Sequence, residues 1–267
     1  MNLSSPELMG RVIGSAGGKT AQEIIIGLYS AMGLEPFGTE FKIPVFIYPF
    51  QSTDGSSDLK ADGHNIVGLI TGEESEECLI LSAHFDGVDH GSAALDNAAG
   101  VYALLKTAEK LTLHSENENL SRDIVFAAFD GEEPGLIGSS AMVDTIKNRY
   151  EKVFVINLDC VGIKGSDSYI VIGDQAQWGS FIESLYELLD ANGFVTVPIS
   201  GFYASDHLAF EYQGIPAVTI GECEVDGIIH TVNDVAEKVD IDEIERLSEV
   251  LCTYVLEESD ALFDNPQ

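Results

Sequence analysis

Residues 78–83, 124–129 and 153–158 are almost wholly apolar, and a segment with helical spacing or turn-forming residues follows each. A strand that is apolar at every position is covered on both faces, which only flanking helices supply. Helical spacing over 97–111, 136–146, 178–191, 205–212 and 241–257 provides those helices, and 65–70, 169–172 and 217–220 read as further strands. The alternation predicts a mainly parallel sheet with helices on both sides, an α/β class. A first helix is expected over 20–32, stopped by Gly33, and Pro44 and Pro49 mark 41–50 as an extended edge segment. Residues 51–63 read as a loop, as do the acidic stretches 73–77 and 115–119. Residues 14–18 are glycine-rich, but no apolar strand precedes them, which argues against a phosphate loop. No linker composition interrupts the chain, so 1–267 is read as a single domain.

In open α/β sheets ligands bind beyond the carboxyl ends of the strands. Here those ends read His84-Phe85-Asp86, Asp130-Gly131-Glu132-Glu133 and Leu158-Asp159, with Asp96 opening the helix after the first. Each piece alone has a plain structural reading, Asp96 as a helix cap and the paired glutamates as surface. Together Asp96, Glu132, Glu133 and Asp159 gather several negative charges at one sheet edge, and these segments hold no Lys or Arg to offset them. Such a cluster is destabilised or forced to take up protons unless cations neutralise it. Mixed imidazole and carboxylate donors favour zinc, with cobalt or manganese as substitutes. Asp86, two residues beyond His84 on an extended chain, can orient its ring. A second imidazole must come from His64, His90, His114, His207 or His230. His64 and His114 lie in polar stretches, His90 in the 87–92 loop, His207 near a helix start, and His230 before a turn-like Thr231-Val232-Asn233-Asp234.

The ordered segments HFD, ALDNAAG, FDGEEPGLIGS, NLDCVG, SDH and HTVND, with the opening LSSPELMGRVIGSAGG, resemble the co-catalytic zinc aminopeptidases of bacteria. That family also includes glutamate carboxypeptidase, transferrin-receptor-like domains and the glutaminyl cyclases. The resemblance covers nearly the whole chain and implies a three-layer α/β/α sandwich with a central mixed sheet. It implies two zinc ions bridged by Asp96, one completed by His84 and Asp159, the other by Glu133 and His230. It further implies that Asp86 orients His84 and that Glu132 is the general base for the attacking water. Two metals roughly 3.5–4 Å apart suit such a displacement, and a free carboxylate next to a liganding one suits the base. Ile229 stands before His230, where family members often carry an oxyanion-stabilising Tyr. Tyr203, ahead of Ser205-Asp206-His207, is the candidate for that role or for a pocket wall, and Phe202 and Tyr203 suggest an aromatic-lined pocket. The expected activity is removal of N-terminal residues, apolar ones favoured, from peptides. The alternatives are a glutaminyl cyclase with a single zinc and a catalytically dead binding module on the same fold.

The net charge of −32, from 45 acidic and 13 basic residues, disfavours nucleic acid and anionic membranes as partners. It also raises adaptation to high salt as a reading, since screening relieves self-repulsion. Cys78, Cys160, Cys223 and Cys252 have neither zinc-finger spacing nor close pairs, and are expected as buried free thiols. No membrane-spanning run and no leader are seen, so a monomeric cytoplasmic protein is the default expectation, with secretion or a periplasmic location the alternative if a leader was removed.

Overall fold

The computed structural model describes residues 3–46, 63–166, 168–199 and 203–264. A short helical turn within Pro6–Arg11, broken at Met9 and Gly10, leads into α1 (Ala16–Met32). Ser15 caps α1 by accepting the Gly18 amide on its Oγ, and Gly33 ends it with φ +84°. The helix starts four residues before the expected position. Gly17 and Gly18 have poor helix propensity, but they occupy its first turn because a Cβ on Gly17 would stand 1.9 Å from the Leu8 carbonyl oxygen. The remaining elements are β1 (Glu35–Pro36), β2 (Lys42–Val45), β3 (Gly63–Ile70), β4 (Glu74–His84), α2 (Gly100–Ser115), β5 (Arg122–Phe129) and α3 (Ile137–Arg149). They continue with β6 (Lys152–Leu158), β7 (Ser168–Ile172), α4 (Gln175–Ala191), β8 (Val195–Thr196), α5 (His207–Glu211), β9 (Ala217–Glu222), α6 (Ile241–Thr253) and α7 (Asp260–Asp264). Of the expected extended segment 41–50, residues 42–45 form β2, and 47–50 lie outside the described residues, as do most of the expected loop 51–63 and Phe202.

The strands form one sheet in the order β1-β3-β5-β4-β6-β9-β7-β8, with β2 also paired to β3. Pairing is parallel through β5, β4, β6 and β9 and antiparallel at β3–β5 and β7–β9, so the sheet is mixed around a parallel centre. Alternate residues of the apolar runs serve opposite layers. Leu79, Leu81, Phe126, Phe154 and Ile156 pack with α1, α2, α4 and α6, whereas Ile80, Val125, Phe129 and Val155 pack with α3 and α5. This is the α/β/α sandwich expected. All four cysteines are free, but only Cys78 is fully buried, so the expectation of buried thiols is corrected for Cys160, Cys223 and Cys252. Among the described residues no helix is long and apolar enough to cross a membrane.

Candidate metal centre

Ser82 of β4 pairs with Asn157 of β6, so His84 and Asp159 emerge side by side at the carboxyl edge of the sheet. Asp96 arrives from the wide turn Ala94–Ala99, where Asp96 and Asn97 depart from helical geometry, so α2 begins only at Gly100 rather than at 97. The side chain of Asp234 shapes that turn: its carboxylate accepts the amides of Leu95 (2.6 Å) and Asp96 (3.2 Å). Glu133 comes from the loop after β5, and His230, with φ +55°, from the turn after β9.

These residues form two trios sharing one carboxylate. His84 Nε2 lies 3.2 Å from Asp96 Oδ1 and 3.4 Å from Asp159 Oδ1. His230 Nε2 lies 3.0 Å from both Asp96 Oδ2 and Glu133 Oε2. Within each trio all donor atoms fall within 4.8 Å of one another. Asp159 Oδ1 and Glu133 Oε1 are buried without a hydrogen-bond partner, which is costly unless something else takes their lone pairs. Two oxygen–nitrogen donor sets with uncommitted carboxylate oxygens fit borderline divalent cations such as zinc. His84 Nδ1 meets the main-chain oxygen of Asp86 at 3.1 Å, leaving Nε2 for a ligand.

The electrostatics show the same strain. Burial pushes Glu132 up to about 9 and Glu133 up to about 7. The hydrogen bond that His230 donates to Asp96 leads the causes that raise His230 to about 9. Burial opposes charge on His84, but Asp159, Asp86 and Asp96 together raise it well above the usual imidazole value. Crowding at this edge thus favours protons on Glu132, Glu133 and the two histidines, whereas, against burial, those histidines hold Asp96 well below the usual carboxylate range.

Asp86 meets more than the His84 ring. Its Oδ1 stands 3.6 Å from His84 Nδ1, and its two oxygens accept the amides of Glu132 (3.0 Å) and Glu133 (3.3 Å). Beneath the first trio, Ser205 Oγ donates to Asp159 Oδ2 (2.6 Å), and Asn157 Nδ2 donates to Ser205 and to Thr219. Glu132 and Tyr203 join Asp96, Asp159 and His230 around a cavity of about 140 Å³, whose other walls include Ile170, Ile172, Val225 and Ile229.

The remaining histidines stay apart. His90 is exposed beside Asp89 (3.0 Å), and His114 lies 3.7 Å from Glu118. His64 lies on β3, and its amide bonds Asp130. His207 opens α5, where burial lowers it to about 4 and Thr219 Oγ1 meets its Nδ1 at 2.7 Å. Reasoning from the sequence missed Arg11. It is fully buried and brings to this edge the positive charge that the motif segments lack. A single arginine in a short, turn-rich opening carries no periodic signal by which to find it.

The sequence profile of peptidase family M28 matches residues 65–255. The chain belongs to peptidase family M28. It is 29% identical over 163 residues to leucine aminopeptidase 2 of Trichophyton equinum, covering 57% of this chain and 32% of that one. It is 27% identical over 223 residues to aminopeptidase YwaD of Bacillus subtilis, covering 78% and 48%. The chain thus spans a third to about half the length of these curated relatives. Among solved structures, a leucine aminopeptidase precursor from Bacteroides thetaiotaomicron superposes with a TM-score of 0.77 at 20% identity, covering 96% of this chain and 94% of that one. A Zn-dependent exopeptidase from Parabacteroides distasonis gives 0.76 at 17%, covering 96% and 95%. At these identities the structural likeness is one of fold.

Proposed function

We propose that this chain is a single-domain zinc aminopeptidase that hydrolyses the N-terminal bond of peptides, favouring apolar first residues. The observation that carries the reading is the pair of His–carboxylate trios sharing Asp96, set beside an apolar cavity with an uncommitted Glu132. The names of the aminopeptidase relatives support it. Two trios, rather than one, favour it over a glutaminyl cyclase.

His84, Asp96 and Asp159 would hold one zinc, and Asp96, Glu133 and His230 the other. Zinc bound there supplies Lewis-acid polarisation of a carbonyl and acidification of water. Every other part belongs to the chain. Glu132, beside the liganding Glu133 but outside both trios, takes a proton from the attacking water and passes it to the leaving amine. Asp86 holds Glu132 and Glu133 through their amides. The walls at Ile170, Ile172, Val225 and Ile229 receive the first side chain and exclude water from it. Tyr203 donates its hydroxyl hydrogen to the developing oxyanion.

Metal analysis of the purified protein, paired with Glu132→Gln kinetics on leucine p-nitroanilide, tests the reading. The expected result is two zinc per chain in both proteins and a loss of turnover of at least about 100-fold in the variant. Near-normal turnover in Glu132→Gln, or wild-type activity unchanged by exhaustive chelation, would overturn it.

A further inference from the structure

Arg11 is fully buried, and no hydrogen bond or ion pair among the described residues joins its guanidinium to a carboxylate. Its donors go instead to four main-chain carbonyls. Nε bonds the Phe85 oxygen (2.5 Å), Nη1 the oxygens of Leu3 (2.7 Å) and Ser92 (3.0 Å), and Nη2 that of Ala93 (2.7 Å). Phe85 lies between His84 and Asp86, and Ser92 and Ala93 lead directly into the turn that carries Asp96. One planar fork therefore ties the strand end bearing a ligand of one trio to the chain entering the ligand that both trios share.

The backbone is built to deliver this side chain. Met9, Gly10 and Arg11 all have positive φ (+45°, +70° and +60°), and a Cβ on Gly10 would stand 1.8 Å from the Val88 oxygen. The opening segment is thus pressed against the 85–92 loop in a conformation that L-residues adopt only under constraint. Burial lowers Arg11 to about 10, so it keeps its charge at neutral pH, and the carboxylates whose fields reach it are Asp86, Asp234, Asp96 and Glu133. Nothing in the catalytic proposal uses this group.

We propose that Arg11 is a positioning residue of the metal centre, fixing His84 and Asp96 in ligand register through the carbonyls of Phe85, Ser92 and Ala93 and lowering the cost of gathering the carboxylates before cations arrive. The inference rests on the two-zinc reading. A lysine there retains charge but cannot reach four carbonyls with a planar fork, so it restores the field without the register.

The test is zinc affinity, measured on the full chain by competition with a chromophoric chelator and independent of catalysis. Arg11→Lys is expected to bind zinc about 10- to 100-fold more weakly, the scale for groups that orient ligands. Arg11→Ala is expected to lose more and to recover part of it when guanidinium is added. Ile25→Ala, in α1 and away from the loops, should lower the melting temperature while leaving zinc affinity unchanged. Wild-type affinity in Arg11→Lys would overturn the proposal. So would an equal loss of affinity in Ile25→Ala, because the effect would then follow general stability. If Arg11→Ala does not fold, the comparison of the lysine and Ile25 variants decides alone. A wild-type protein that takes up no zinc would end the two-zinc reading itself, an outcome distinct from either of these.

Discussion

Replacing Asp86 with Ala removes the acceptors for the Glu132 and Glu133 amides and the carboxylate 3.6 Å from His84 Nδ1, without touching a proposed ligand. A hydrogen bond to a charged acceptor is worth about 1.5–3 kcal/mol, so the two together amount to about 3–6 kcal/mol. Both glutamates are only partly buried, so water and loop relaxation recover roughly half, leaving about 1.5–3 kcal/mol. That loss falls on the placement of the base, because Glu132 then samples orientations away from the attacking water. The expected consequence is a fall in kcat of about 10- to 150-fold, with a smaller change in KM. Asp86→Asn, which keeps one acceptor oxygen, should lose less. Steady-state kinetics on leucine p-nitroanilide, with zinc content and melting temperature determined on the same samples, would measure it. An Asp86→Ala protein that retains its zinc and stays within fivefold of wild type in kcat would refute the argument that these two bonds aim Glu132.

The metal-free protein should lose stability as pH rises. Glu132 and Glu133 ionise near 4.5 when unfolded but near 9 and 7 when folded, so the folded state carries a growing charge penalty between those values. His230, raised to about 9 in the fold, adds stability below about 6.5 that is lost on the way to that value, and His84, raised well above its usual range, tilts the curve the same way. Melting in chelator should be lower at pH 9 than at pH 6, with zinc flattening the trend, and a level or inverted profile would count against the site. Zinc added at pH 7 in a weak buffer with a pH dye should release about two protons per chain. Tyr203→Phe should lower kcat by at least about tenfold with KM little altered, whereas a pocket-wall role would move KM instead. Added potassium chloride should raise the melting temperature, because a charge of −32 repels itself until screened, and kinetics of melting at several salt levels would check this.

The central strands were readable because residues buried on both faces leave an uninterrupted apolar run, as in 78–83 and 124–129. The two-residue strands β1 and β8 are too short to show any period. The first turn of α1 was hidden because close approach to Leu8 overrides the low propensity of Gly17. At the site, His84 and Asp159 announce themselves as polar ends of apolar strands. The shape of the Ala94–Ala99 turn did not, since it is set by Asp234 from far along the chain. His230 was one of five candidate second histidines until the order of motifs singled it out. Arg11 was beyond reach, because its meaning lies in which carbonyls it meets.

The two trios become available at different moments of synthesis. His84, Asp96 and Asp159 are all present once residue 159 has been made, and the strands that carry the first and last of them, β4 and β6, are neighbours in the sheet. The second trio waits for His230. At about 5–20 residues per second the ribosome needs several seconds to cover that interval. On the two-zinc reading, a nascent chain would therefore offer one trio well before the other, and the first ion captured would template the sheet edge onto which the later strands dock.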